Sequence, residues 1–227
     1  MSLPYLDIHT HRRDFIESSV NVLSLSKKEI ESGTVLGEYL TAGIHPWWLE
    51  DQSPADVEKL KSEITLLIEQ GKLWAIGETG LDRLYPEFLE LQVETFKWHI
   101  DLSEEYGLPL IIHNVRSGSD ILEILKDKRP KSAWIFHDFR GNEILLKEIL
   151  KLHPNSYFSF GISIDNSQTI RELLPDVPLS NLFLETDDQK HLDIHDIYLR
   201  AAHHLNVDIE FLKAQVWHNF NKVRKSE

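Results

Sequence analysis

Two histidines stand two residues apart in YLDIHTHRRD, residues 5–14, where an apolar run gives way to charge. On a β-strand, residues i and i+2 project from one face, so His9 and His11 would aim their imidazoles into the same space. Such a pair could hold a divalent cation, or it could be two unrelated histidines at a strand end; the spacing alone decides nothing. Other apolar runs end in a similar way. His45 ends YLTAGIH, Glu78 ends LWAIGE, His113 ends LPLIIH, His137 ends AWIFH, and LFLETD closes with Glu185 and Asp187. Histidine is only 12 of 227 residues, so its recurrence at these positions is not what chance placement gives. Cysteine is absent, which removes thiolate ligands, disulfides and cysteine nucleophiles. A metal here has to be held by imidazole and carboxylate, which bind such ions at ~2.0–2.2 Å.

Two ions ~3.5–4 Å apart need a carboxylate able to bridge them, and an acidic group to take a proton from water. Glu78, roughly central in the series of runs, suits the bridge. Asp187, arriving from the last run opposite His9 and His11, suits both ligation and proton transfer.

The runs that must position these groups form a regular series: 5–9, 19–26, 39–45, 73–78, 108–113, 133–137, 156–161 and 182–187. They are short, rich in β-branched and aromatic residues and nearly continuous in apolar character, as strands buried on both faces are. Helical patterns separate most of them. Ser53, Pro54 and Asp56 open a helix over 53–71, and Gly107 and Pro109 end another over 85–107. Further helices are expected over 117–130, 142–154, 166–175, 195–205 and 208–226. Eight strands alternating with helices predict a TIM (β/α)8 barrel, whose usual ~250 residues fit this chain. An open doubly wound sheet is the alternative, but no glycine-rich phosphate loop follows the first run. The first two connections, 10–18 and 27–38, hold only 9 and 12 residues with little helical periodicity, so the first two helices are expected to be shortened or missing. No linker or repeat divides the chain, and residues 1–227 are expected to form one domain.

The formal net charge of −13 opposes long-range attraction to a polyanion, so a nucleic-acid substrate would need bound cations or a local basic patch. No apolar run approaches the ~20 residues of a membrane helix, and no basic segment followed by an apolar core opens the chain. A cytoplasmic protein without a membrane partner or an obligate protein partner is expected.

In the order and spacing of its motifs the sequence resembles the TatD family of metal-dependent hydrolases, within the amidohydrolase superfamily of barrels. DIHTH, GIHP, IGETGLD, LPLIIHNVR, FHDFRG and LFLETD follow the family's pattern nearly end to end. The resemblance implies one divalent ion held by His9, His11, Glu78 and Asp187 and another held by Glu78, His113 and His137. The ions could be zinc, magnesium, manganese or nickel. His45 would face the substrate, Arg116 would neutralise a phosphate, and Asp7, Asp82 and Glu185 would orient ligands or loops. The implied substrate is a phosphodiester, with DNA as one form of it. Departures lie at the mouth: Asp138 replaces the family's cysteine, Arg140 a small residue, and Asp188 and Gln189 stand where the family has Ala-Pro. Hydrolysis of a small ester, amide or phosphomonoester, or a barrel that binds without catalysing, are the alternatives. His191, His195, His203, His204, His99, His153 and His218 read as ordinary helix or loop residues. Trp47 and Trp48 could stack on a base or sugar, or pack at the rim.

Overall fold

The computed structural model describes residues 3–13 and 18–224. Eight strands, β1 (Tyr5–Thr10), β2 (Ser19–Ser24), β3 (Tyr39–Ala42), β4 (Ala75–Asp82), β5 (Leu110–Val115), β6 (Trp134–Phe136), β7 (Ser156–Phe160) and β8 (Leu182–Leu184), pair in parallel in sequence order. The ring closes where Thr10 bridges Asp187. There the Asp187 N–H donates to the His9 carbonyl and the His11 N–H to the Asp187 carbonyl, both at 3.0 Å. This is the expected TIM barrel, and the ligand-type residues sit at the C-terminal end of the strands, where such barrels carry their sites.

All eight residues of β4 are buried, as expected of a strand covered on both faces. β4 runs four residues beyond the expected end at Glu78, because Thr79 to Asp82 pair with β5 after a register shift that follows Ile76. Gly80 permits this approach: a Cβ there would lie 2.0 Å from the His113 carbonyl oxygen, and its φ of 145° disfavours any side chain.

The connections differ as their sequences do. Among its described residues, the link from β1 to β2 contains no helix; residues 14–17 lie outside the description. The link from β2 carries the six-residue α1 (Lys27–Ser32), closed by a reciprocal Ser26–Glu29 capping box and by Gly33 at φ 63°. β3 leads through a 3₁₀ turn, Pro46–Asp51, into α2 (Pro54–Glu69). α2 turns Val57, Leu60, Ile64, Leu67 and Ile68 inward at the 3.6-residue period. Each such side chain contributes about 1.5–3 kcal/mol on burial. α3 (Leu89–Tyr106), α4 (Gly118–Lys128) and α5 (Glu143–Leu152) cover the next strands. The helix expected over 166–175 is broken into α6 (Ser163–Asn166), α7 (Gln168–Leu173) and a 3₁₀ turn at Pro175.

α8 (Ile194–Leu205) and α9 (Ile209–Arg224) pack on β1 and β8, on the flank where the early helices are short. The Tyr198 hydroxyl donates to the Leu6 carbonyl at 3.0 Å and accepts from the Leu6 N–H at 3.3 Å. The Trp217 indole donates to the Pro4 carbonyl at 2.7 Å. No described helix is long and apolar enough to cross a membrane.

Candidate metal centre

Glu78 stands at the centre of the cluster, and its two oxygens face different partners. Oε2 lies 3.2 Å from His11 Nε2 and 3.4 Å from His9 Nε2. Oε1 lies 2.7 Å from His137 Nε2, 2.8 Å from His113 Nδ1 and 3.1 Å from His45 Nε2. Asp187 Oδ1 completes the first side, 3.7 Å from His9 Nε2 and 3.6 Å from His11 Nε2. Three overlapping groups, His9–His137–Asp187, His9–His11–Glu78 and His45–Glu78–His113, each place their donor atoms within 4.8 Å of one another.

Whether these residues suit a cation follows from where their protons go. His113 Nε2 donates to Asp82 Oδ2 at 3.2 Å, which leaves Nδ1 as a lone pair aimed inward. His137 turns Nδ1 toward Glu185 Oε1 at 3.4 Å and Nε2 inward, so the two inward nitrogens meet at 3.2 Å. Carboxylate partners behind imidazoles orient metal ligands in this way. His9 is fully buried, yet neither ring nitrogen has a hydrogen-bond partner among the described residues. Converging imidazole nitrogens and a buried ring without a hydrogen bond suit a divalent ion well. His45 differs. Its Nδ1 accepts the Trp47 N–H at 3.1 Å, so the neutral ring carries its proton on Nε2 and donates it to Glu78. That tautomer suits a hydrogen-bond donor better than a metal ligand.

The electrostatics follow the geometry. Burial would raise Glu78, but the His137 and His45 rings, with His11 and His113 close beside it, hold it well below the usual carboxylate range. Burial alone would lower His137, but Glu78 and Glu185 hold it well above the ordinary imidazole value. His113 is raised by Asp82 and Glu78 against the same burial. His9 goes the other way, lowered by burial and by His137. Burial pushes Glu185 up to about 8 despite His137, and Asp7 up to about 7 despite two hydrogen bonds from Thr186.

The remaining expected residues divide. Asp82 holds His113, and accepts from the Trp47 indole at 2.7 Å. Glu185 stands behind His137 and also accepts from the Asp138 N–H at 2.8 Å and from the Ser159 hydroxyl. Asp7 accepts from the Thr186 N–H and hydroxyl at 3.0 and 2.6 Å and so anchors the turn that presents Asp187. Arg116 follows β5, exposed, at a φ of 53°, with no ion pair to a described residue. Arg140 is folded back on Asp138 at 2.6 Å. His191, His195, His203, His204 and His218 join no candidate metal group among the described residues. Sequence reasoning passed over Thr186 and Ser159, whose hydroxyls hold the carboxylates of Asp7 and Glu185. It read His99 as an ordinary helix or loop residue. That buried ring donates from Nδ1 to the Thr95 carbonyl at 2.8 Å and accepts the Ile44 N–H at 3.0 Å, tying α3 to the segment that carries His45.

Comparison with known proteins agrees with this architecture. The chain matches the family described as TatD related DNase over residues 7–224. It is 34% identical to the uncharacterized metal-dependent hydrolase YcfH of Escherichia coli K12 over 149 residues, covering 65% of this chain and 54% of that protein. It is 28% identical to an uncharacterized metal-dependent hydrolase of Buchnera aphidicola over 249 residues, covering 97% and 91%. A third relative, the uncharacterized metal-dependent hydrolase TatD of Mycobacterium tuberculosis, is 28% identical, with 66% and 57% covered. The match thus spans little more than half the length of several of these relatives. The crystal structure of YjjV, a TatD homologue from Escherichia coli K12, superposes with a TM-score of 0.80 at 20% identity, covering 98% of both chains. With the profile matching almost from end to end and the barrel shared, the chain belongs to the family of TatD-related DNases.

Proposed function

We propose that this protein is a divalent-metal-dependent hydrolase of phosphodiesters, with two cations shared across Glu78. His9, His11, Glu78 and Asp187 would hold one ion, and Glu78, His113 and His137 the other. The supporting observation is the division of the Glu78 carboxylate, with His9 and His11 against Oε2 and His113 and His137 against Oε1. Ions in such a site supply Lewis acidity toward a phosphoryl oxygen and lower the pKa of water.

The protein's own groups do the rest. Asp187, with its side chain 29% exposed at the mouth, takes the proton of the attacking water. His45, its proton fixed on Nε2, donates to a phosphoryl oxygen as negative charge grows. Arg116, exposed at the rim, offers a guanidinium to the same phosphate. DNA is the substrate suggested by the family to which the chain belongs. Smaller phosphodiesters are the second reading, motivated by the net charge of −13, which opposes a long polyanion.

The test joins metal analysis to hydrolysis of single-stranded DNA and of bis(4-nitrophenyl) phosphate. Chelated protein should be inert on both and recover with a divalent ion. Full activity in the chelated protein or in Glu78→Ala would falsify the proposal.

A further inference from the structure

Beside the cluster, and open to His11, His45 and Glu78, lies a cleft of about 300 Å³. Its outer wall is Ser24, Leu25, Ser26, Trp47, Trp48 and Asp188. That volume matches the lower end of small-ligand sites.

Three features define what fits there. The first is Trp47, which is 51% exposed although it is a large aromatic side chain. Its indole N–H is held by Asp82, and its ring meets His45 edge-on at 4.8 Å, so the exposed indole stands in a fixed pose. The second is Ser24, a polar residue of the cleft wall that is only 3% exposed. The third is charge. Asp188 is the one acidic side chain on the outer wall among the described residues, and no lysine or arginine lines it. Two flanking cations are already engaged: Lys27 binds Gln52 at 2.7 Å, and Arg13 binds Glu29 at 2.6 Å and the Ser24 carbonyl at 3.4 Å.

A phosphate backbone needs cations and backbone N–H groups along its path, and this wall has an anion instead. A flat ring stacks on an ordered indole. A carboxylate only accepts hydrogen bonds, so it asks its ligand for hydroxyl or amine donors, while a serine hydroxyl can give or take one.

We propose that this cleft is a subsite for an uncharged nucleoside, its base stacked on Trp47 and its sugar or base donors turned to Asp188 and Ser24. The substrate is then a nucleotide ester with one terminal nucleoside beside the cleaved bond, and not a strand threaded through the cleft. This rests on the phosphodiesterase reading for the bond that is cut; the subsite itself rests on the cleft.

The test separates the two. Adenosine, which carries no phosphate, is titrated into the metal-loaded protein and followed by ligand-observed NMR. Saturable binding in the millimolar range is expected, weakened at least 10-fold in Trp47→Ala, about 3-fold in Ser24→Ala, and within about 3-fold of wild type in Trp47→Phe, which keeps an aromatic ring. In parallel, thymidine 5′-(4-nitrophenyl phosphate) is compared with methyl 4-nitrophenyl phosphate, which shares the leaving group but lacks the nucleoside. The nucleoside ester should lead by at least 10-fold in kcat/KM, and Trp47→Ala should erase the lead through KM. If neither ester is cleaved the phosphodiesterase reading falls, and adenosine binding still decides the subsite. Absent or non-saturable adenosine binding, or binding unchanged in Trp47→Ala, overturns the proposal.

Discussion

Thr10 and Asp187 are bridged partners at the seam of the barrel, and the hydrogen bonds around them run to His9 and His11. The Thr10 hydroxyl adds a bond to the Asp187 carbonyl at 3.2 Å and lies 3.0 Å from the Thr186 hydroxyl. The strand that ends the ring and the strand that begins it therefore meet among the proposed ligands. Closing the fold and assembling the site are one event.

If Glu78 joins two ions, Glu78→Gln should lose both together. Metal content by plasma mass spectrometry should fall from about two ions per chain to below one, with activity down at least 10³-fold. Retention of one ion at full occupancy would reassign the second.

His45 separates ligand from donor. Because its Nδ1 is already engaged by the Trp47 N–H, His45→Ala should leave the metal content unchanged. Its kcat should fall about 10²–10³-fold, the scale of losing one charge-stabilising donor.

Gly80→Ala forces a Cβ against the His113 carbonyl oxygen and a strained φ on a buried strand. We expect a loss of several kcal/mol, a lower Tm and weaker metal retention, since the displaced strand carries His113. A Tm within a degree or two of wild type would show that β4 and β5 are not pressed together there.

His99 gives a pH dependence whose sign is fixed. Burial lowers it to about 3, below the ~6.5 of an unfolded imidazole. The unfolded chain therefore takes the proton first as pH falls. The stability His99 contributes is complete above about 6.5 and drains away toward its folded value. Relative to His99→Gln, wild type should lose about 2 kcal/mol between pH 7 and pH 5, measured by urea unfolding. A pH-independent gap between the two proteins would rule out a buried neutral His99.

Tyr198→Phe removes the hydroxyl that serves both backbone groups of Leu6. Leaving them unpaired in a buried strand should cost about 1–3 kcal/mol. Chemical denaturation reads the loss directly.

Much of the architecture was legible because a strand buried on both faces is a nearly unbroken apolar run, and in this chain most such runs stop at a ligand-type residue. His9, Glu78, His113, His137 and Asp187 could be placed by that rule alone. α1, expected to be shortened or missing, is a single short helix that buries only Ile30 and has no period to detect; its signal is the Ser26–Glu29 capping pair. His99 was read as an ordinary helix residue. Its helix face alternates apolar with polar side chains, Gln92, Thr95, Phe96, His99, Ile100 and Ser103, and such a face does not announce that its imidazole is a joint. Trp47 and Trp48 are adjacent on one turn, and only the fold shows that the first is half exposed while the second packs against the core. Asp7 was marked as an orienting group, but that its carboxylate faces Thr186 depends on the seam between the first and last strands.

The last two helices lie over the opening strand, with Tyr198 on Leu6 and Trp217 on Pro4. An early strand thus waits for helices translated some 190 residues later. A nascent chain can stack its middle strands as they emerge, but β1, which carries His9, stays without the helices that pack on it until the segment containing Trp217 has left the exit tunnel. Truncated or stalled chains should therefore emerge as open sheets with an exposed edge, poor at retaining cations and prone to stick to one another.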